Sequence, residues 1–124
     1  MYEITIRKRF AAAHRLVGYG GRCEALHGHN FRVEVGAQGA ELDDVGLLLD
    51  FKVLKRIVAE VLDRLDHSFL NDHEYFTKNN PSSELIARYL HDEVSRQLPT
   101  PGVIVSFVRV WESEDAYATY RPDR

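Results

Sequence analysis

Between Cys23 and His29 the chain places one thiol and two imidazoles within seven residues, Cys23-Glu24-Ala25-Leu26-His27-Gly28-His29. His27 and His29 are two apart, so on an extended backbone both side chains leave the same face. Two such imidazoles make half of a metal site, and Gly28 between them lets backbone or ligand approach closely. His14 closes an alternating stretch upstream. If that stretch pairs with the one starting at His27, His14 comes near the other two. Three neutral imidazoles with an open fourth position are the donor set of a catalytic zinc rather than a structural one. Six histidines in 124 residues also produce such a pair by chance. Spacing alone therefore leaves coincidence and metal binding evenly weighted, and the third histidine favours the metal. Cys23 is the only cysteine. A lone cysteine is ordinarily a small buried residue, but near a bound cation its pKa falls and it becomes a nucleophile or base.

Other chemistry-bearing residues are more dispersed. Asp66-His67 offers a carboxylate that can orient an imidazole for proton transfer, although a histidine at a helix C-terminus is favoured by the dipole without further reason. Glu112 closes an apolar segment, where a carboxylate can accept two N–H bonds from a planar, guanidine-like edge. Ser82, Ser83 and Glu84 read first as a helix start, with Glu84 facing the positive end of the dipole. His73 and His91 have no companions in sequence and read as surface residues. His27-x-His29 followed by Glu34 also looks like the first cupin motif. The later Pro-x-Gly-x-x-His motif is missing and helices fill the middle of the chain, so that reading is set aside.

The elements that position these groups follow from periodicity. Tyr2, Ile4 and Ile6 alternate with Glu3, Thr5 and Arg7, predicting a strand over 2–14, and Phe31, Val33 and Val35 predict a second over 27–38. Glycine-bearing loops cover 15–26 and 39–47. Asp50 can cap a helix over 51–65 with Leu54, Val58, Val61 and Leu65 on its apolar stripe. The segment 68–80 reads as polar loop. Ser82 or Ser83 then starts a second helix, with Ile86, Leu90 and Val94 on one face, to about residue 98. Val103 to Glu112 reads as a strand apolar on both faces, with Val103, Val105 and Phe107 on one and Ile104, Val108 and Val110 on the other. A last strand is expected over 116–121. The order ββααββ predicts an α+β fold, one four-stranded antiparallel sheet with two helices on one face. The other face is also partly apolar and the edges are not blunted. Edge-to-edge closure into a barrel of subunits would remove both problems, so a homo-oligomer is expected.

Composition limits the remaining possibilities. One domain spanning 1–124 is the expectation for this length. Hydrophobic residues make up 44% and charged residues 28%, with a formal net charge of −3. No basic excess supports nucleic-acid binding, and an anionic substrate would have to be held by local Lys and Arg. One cysteine excludes an intrachain disulfide and suits a reducing compartment. The N-terminus alternates and is charged, unlike a signal peptide, and no apolar run approaches a membrane span of about 20 residues. The chain reads as cytoplasmic.

Six blocks in order carry a family resemblance: Phe10-x-Ala12-Ala13-His14-x-Leu16; Cys23-x3-His27-Gly28-His29; Asp50-Phe51 with Leu54-Lys55; Leu65-Asp66-His67-x2-Leu70-Asn71; Asn80-Pro81-Ser82-Ser83-Glu84; and Glu112 closing a strand. Over nearly the whole chain this resembles the 6-pyruvoyltetrahydropterin synthase and 6-carboxytetrahydropterin synthase superfamily. The resemblance implies a tunnelling (T-) fold, with subunits joined into barrels and stacked, usually as a hexamer. It implies zinc on His14, His27 and His29. Cys23 would be the catalytic thiol, assisted by Asp66 and His67 across a subunit interface. Glu112 would anchor a pterin ring, with Ser83 and Glu84 joining it in substrate binding. The Cys23-x3-His27 spacing is similar to the bacterial 6-carboxytetrahydropterin synthases of queuosine biosynthesis, whereas the animal pyruvoyl enzymes carry a longer insertion. A third branch replaces the cysteine with glutamate, and Cys23 argues against it. The implied activity is a lyase acting on 7,8-dihydroneopterin triphosphate. A pyruvoyl-forming synthase, a zinc hydrolase on the same scaffold and a non-catalytic zinc- or pterin-binding module are the alternatives. Trp111 stands where a smaller or polar residue is expected, and no motif places the residues that would hold a triphosphate.

Overall fold

A computed structural model describes residues 1–18 and 25–123. Cys23 lies outside the described residues. Two long strands, β1 (Tyr2–His14) and β2 (His27–Gly39), form an antiparallel hairpin whose register runs from Tyr2 opposite Gly39 to His14 opposite His27. The helix α1 (Phe51–Asp63) follows, then a two-residue strand β3 (Ser68–Phe69) and two 3-10 turns, Leu70–Asp72 and Glu74–Thr77. The helix α2 (Ser83–Ser95) leads to β4 (Ile104–Trp111) and β5 (Tyr117–Tyr120). The sheet has five strands rather than the four expected, in the order β3-β1-β2-β4-β5, and is antiparallel except that the short β3, from the segment expected to be loop, runs parallel to β1. No helix among the described residues is long and apolar enough to cross a membrane.

Local chemistry accounts for the helix starts. Asp50 Oδ1 accepts from Lys52 N at 2.8 Å and Ser82 Oγ accepts from Leu85 N at 3.2 Å, each satisfying an amide that the first turn leaves unpaired. Ser82 is thus the cap, and Ser83 is left for another partner. Both helices end earlier than their apolar stripes suggest. After α1 the chain turns sharply at His67, whose φ of 55° is a left-handed conformation unusual outside glycine. Two hydrogen bonds impose it: His67 N donates to Ala11 O at 2.6 Å, and Asp66 Oδ1 accepts from Ala11 N at 2.8 Å.

Both helices pack on one face of the sheet, α1 over β1 and α2 over β4 and β5. The core between them includes Ile6, Phe10, Phe31, Val33, Val35, Leu54, Val58, Val61, Leu65, Ile86, Leu90 and Val94. The segment 68–80, expected to be a polar loop, contributes Leu70 and Phe76 to that core. Isolated apolar residues among polar ones carry no period, so only packing shows them.

The alternation expected along β4 is broken by an irregularity. Gly36 pairs with Phe107 but Ala37 with Val105, so Ser106 is an extra residue on β4. That bulge resets the side-chain alternation. Val105, Val108 and Val110 all join the core, and Phe107 goes to the helix-free face with Trp111. The helix-free face is therefore less apolar than a strict period of two implies. Its aromatic rings lie under cations: Arg32 is 4.4 Å from the Trp111 ring centre, and Arg109 and Arg121 are each 5.1 Å from that of Phe107. Glu34 ties the face together, accepting from Trp111 Nε1 at 2.8 Å and from Arg7 Nε at 3.2 Å. Burial by itself would raise its pKa. The Trp111 and Arg7 hydrogen bonds, with the charges of Arg7 and Arg109, outweigh burial and hold the carboxyl below the usual glutamate range. Among the described residues both sheet edges stay largely open, since β3 covers only Ala12 and Ala13 of β1, and β5 pairs on one side.

His73 and His91 are not surface residues. His91 is 6% exposed, its ring edge-on to that of Tyr120 at 5.0 Å, with Nδ1 2.9 Å from Asp92 Oδ1. His73 is half-buried against Tyr89 and Phe76. Their burial comes from aromatic rings distant in sequence, Tyr120 for His91 and Tyr89 for His73.

Candidate metal centre and active site

The hairpin register builds the centre. His14 and His27 oppose each other on its last rung, and the next rung on the same face pairs Ala12 with His29. Ala12 is small enough to leave room for the His29 ring. One rung deeper, Phe10 and Phe31 stack at 4.9 Å. Phe31, fully buried, presents its ring edge-on to both imidazoles, 5.4 Å from His14 and 5.5 Å from His29. The three imidazoles stand 4.5, 4.6 and 5.2 Å apart between ring centres.

Two of the rings are fixed by backbone carbonyls. His14 Nδ1 lies 2.7 Å from Pro81 O, and His27 Nδ1 lies 2.7 Å from Ala25 O. A carbonyl only accepts, so Nδ1 carries the proton and the Nε2 lone pair is left for another partner. The Nε2 atoms of His14 and His29 are buried and make no hydrogen bond. Burial, ahead of any charge, lowers the pKa of His29; His14 and His27 push the same way, and Glu112 opposes them. Converging imidazole nitrogens, two of them buried and without a hydrogen bond, are a donor set that suits a borderline-soft divalent cation. The residues present therefore fit a metal ion.

Glu112 joins them, one residue beyond β4. Its Oε1 is 2.9 Å from His29 Nε2, 3.4 Å from His14 Nε2 and 3.8 Å from His27 Nε2. One donor atom from each of the four side chains lies within 4.8 Å of the others. The sequence reading left the fourth position open and gave Glu112 a different part. Nothing in the spacing from His29 to Glu112 signals this contact, because it depends on β4 returning to pair with β2 after both helices and β3. The other oxygen, Oε2, accepts from Ser83 Oγ at 3.3 Å. Ser83, Glu84, Glu112 and Tyr117 line a small cavity on that side. Glu84 is exposed in the first turn of α2, as its helix-start reading predicts.

Asp66 and His67 form a pair, with His67 Nδ1 3.0 Å from Asp66 Oδ2. The Ala11 amide, more than His67, holds the Asp66 carboxyl below its ordinary range. The His67 side chain is 83% exposed and touches none of the three clustered histidines. It lines a cavity of about 510 Å³ together with His29, Gly28 and Ser68. Two asparagines that sequence reading did not assign roles also act here. Asn71 Oδ1 accepts from Arg15 N at 3.0 Å while its Nδ2 donates to Arg15 O at 2.9 Å, and Asn80 makes the same pair of bonds with Val17 N and O at 3.0 and 2.9 Å. Their presence in the Leu70-Asn71 and Asn80-Pro81 blocks was the available signal.

Comparison with known proteins agrees with this architecture. The family model described as 6-pyruvoyl tetrahydropterin synthase matches residues 3–123. The chain is 35% identical over 132 residues to the 6-carboxy-5,6,7,8-tetrahydropterin synthase of Bacillus subtilis, covering 99% of this chain and 87% of the relative. It is 39% identical over 118 residues to a protein of Archaeoglobus fulgidus named as a putative synthase of the same kind, covering 95% and 94%. Among solved structures, 6-pyruvoyl tetrahydropterin synthase of Caenorhabditis elegans superposes with a TM-score of 0.85 at 27% identity, covering 99% and 98%. With the hairpin, the two helices on one face and the histidine cluster all in place, the chain belongs to the 6-pyruvoyl tetrahydropterin synthase family.

Proposed function

We propose that this chain is a zinc-dependent 6-carboxy-5,6,7,8-tetrahydropterin synthase, a carbon–carbon lyase that converts 7,8-dihydroneopterin triphosphate and water to 6-carboxytetrahydropterin, acetaldehyde and triphosphate in queuosine biosynthesis. The convergence of three imidazole Nε2 atoms, two of them oriented by backbone carbonyls, is the observation that carries the reading. His14, His27 and His29 would hold the zinc, which when bound supplies Lewis acidity to neighbouring oxygens of the substrate side chain.

The chain's own groups do the rest. Cys23, as thiolate, takes a proton from a carbon of the substrate side chain. Asp66 holds His67 through Nδ1, which leaves Nε2 to exchange a proton, and the adjacent carboxylate supports the imidazolium. The high exposure of His67 suits a site completed by a neighbouring subunit. The open edges of β1 and β5 support the same reading, a homo-oligomer closed edge to edge, with a hexamer as the expected assembly. Glu112 accepts N–H bonds from the pterin edge on the side where Ser83 and Glu84 line the cavity. The lone thiol suits a cytoplasmic enzyme.

The carboxy-forming outcome rests on the Cys23-x3-His27 spacing and on what the bacterial and archaeal relatives are named. Formation of 6-pyruvoyltetrahydropterin is the second reading, favoured by the likeness to the nematode structure. Mass spectrometry of the products from 7,8-dihydroneopterin triphosphate tests both. Acetaldehyde trapped in stoichiometric yield with triphosphate supports cleavage, and a pyruvoyl product without acetaldehyde refutes it. Failure to form either product, with zinc bound, would leave a binding module.

A further inference from the structure

A cavity of about 730 Å³ is lined by Arg15, Val17, Leu26, Phe69, Phe76 and residues 71 and 77–80. That volume lies within the usual range for a ligand site, roughly 300–1,000 Å³. Its charge is unlike that of the chain. The protein carries a net −3, yet among the described residues this cavity is lined by two cations, Arg15 and Lys78, and by no carboxylate. Neither cation has an ion-pair partner among the described residues. The cavity at the far end of the sheet, by contrast, is lined by Glu41, Asp43 and Asp50.

The wall of the cavity is built rather than incidental. Asn71 and Asn80 each pair with both backbone groups of one residue, Arg15 and Val17. Alternate residues beyond the end of β1 are thus held by side-chain amides, as the backbone of a neighbouring strand would hold them. The same bonds cap the carbonyls of Arg15 and Val17, which would otherwise repel an anion. The cavity lining is joined to the histidine cluster through the chain at two points. Arg15 follows His14, and Asn80 precedes Pro81, whose carbonyl fixes His14 Nδ1. Phe69 lines both this cavity and the one containing His29 and His67.

We propose that this cavity is an anion subsite that takes a phosphate chain, with Arg15 and Lys78 as its cations, Asn71 positioning Arg15 and Asn80 holding Val17 beside it. As the place of the substrate's triphosphate, it rests on the function proposed above; as a site for a polyphosphate anion, it does not. Both cations are exposed, so their neutralisation leaves the fold intact. Inorganic triphosphate is titrated calorimetrically into the zinc-loaded oligomer, into an Arg15→Gln, Lys78→Gln double variant, into a Lys52→Gln, Arg56→Gln control on α1, and into His27→Ala. The wild type and control bind alike, the double variant binds about 10- to 30-fold more weakly, and His27→Ala retains binding. With the phosphorylated pterin, KM rises in the double variant while kcat changes little. Equal affinity in wild type and double variant overturns the inference. So does loss of binding in His27→Ala with retention in the double variant, which would put the anion on the metal. If triphosphate binds as stated but no pterin product forms, the subsite stands and the proposed reaction falls. If product forms and KM is unchanged in the double variant, the subsite falls alone.

Discussion

With a metal on the histidine cluster as proposed, Phe31 would couple fold stability to metal affinity. Its ring is fully buried, stacks on Phe10, and meets His14 and His29 edge-on. Phe31→Leu keeps an apolar side chain in the core but removes all three ring contacts. Such contacts are worth about 0.5–1.5 kcal/mol each beyond area burial. Their sum, about 1.5–4.5 kcal/mol, is reduced by the retained isobutyl group, so a loss near 2 kcal/mol is expected in the metal-free protein. A domain with about 5–15 kcal/mol to spare still folds. The two imidazoles also lose the surface that limits their rotation. Mutation of groups that orient metal ligands typically weakens affinity 10- to 100-fold, or about 1.4–2.7 kcal/mol. Urea unfolding at fixed protein concentration, with and without chelator, reads the first quantity, and competition with a chromogenic chelator reads the second. The zinc-loaded variant should lose more stability than the metal-free variant, by the binding difference. Unchanged zinc affinity alongside a 2 kcal/mol loss would refute the idea that Phe31 holds the ligands. Equal stability with weakened zinc would refute the packing argument.

Three further outcomes are expected. Cys23→Ala should keep zinc and fold while losing about 10²- to 10⁴-fold in turnover; near wild-type rates would remove the thiol from the reaction. Glu34 has a folded pKa below the ordinary value of 4.5, so it stabilises the protein above that value and the contribution fades as pH falls through the depressed pKa; Glu34→Gln should therefore flatten the acid limb of a stability–pH curve, and an unchanged limb would place acid sensitivity elsewhere. Gly36→Ala would aim a methyl group at Phe107 Cε1, with Ser106 Oγ 2.8 Å away and itself bonded to Glu3 Oε2 at 2.7 Å. Overpacking of about 1–3 kcal/mol should appear as a lower urea midpoint at unchanged slope.

The sequence by itself determined whatever depends on local period and local capping. Alternation placed β1 at its observed bounds and β2 to within a residue, and Asp50 located the start of α1 because a carboxylate there satisfies an orphan amide. The His27-x-His29 pair was legible for the same reason, since residues two apart on a strand share a face. His14 joined them once a hairpin was assumed, and the register put it directly opposite His27. Tertiary structure alone decided the rest. The bulge at Ser106 sent Phe107 to the helix-free face and gathered the valines into the core. One extra residue inverts every later side chain, and no composition signals it. His91 became buried because Tyr120, 29 positions away, returns beside it. Glu112 reached the imidazoles, and Asn71 and Asn80 clasped Arg15 and Val17, through contacts between residues more than 50 apart in all but the Glu112–Ser83 bond. Such contacts are set by how the elements pack, and periodicity reports only which way a side chain faces, not what it will meet.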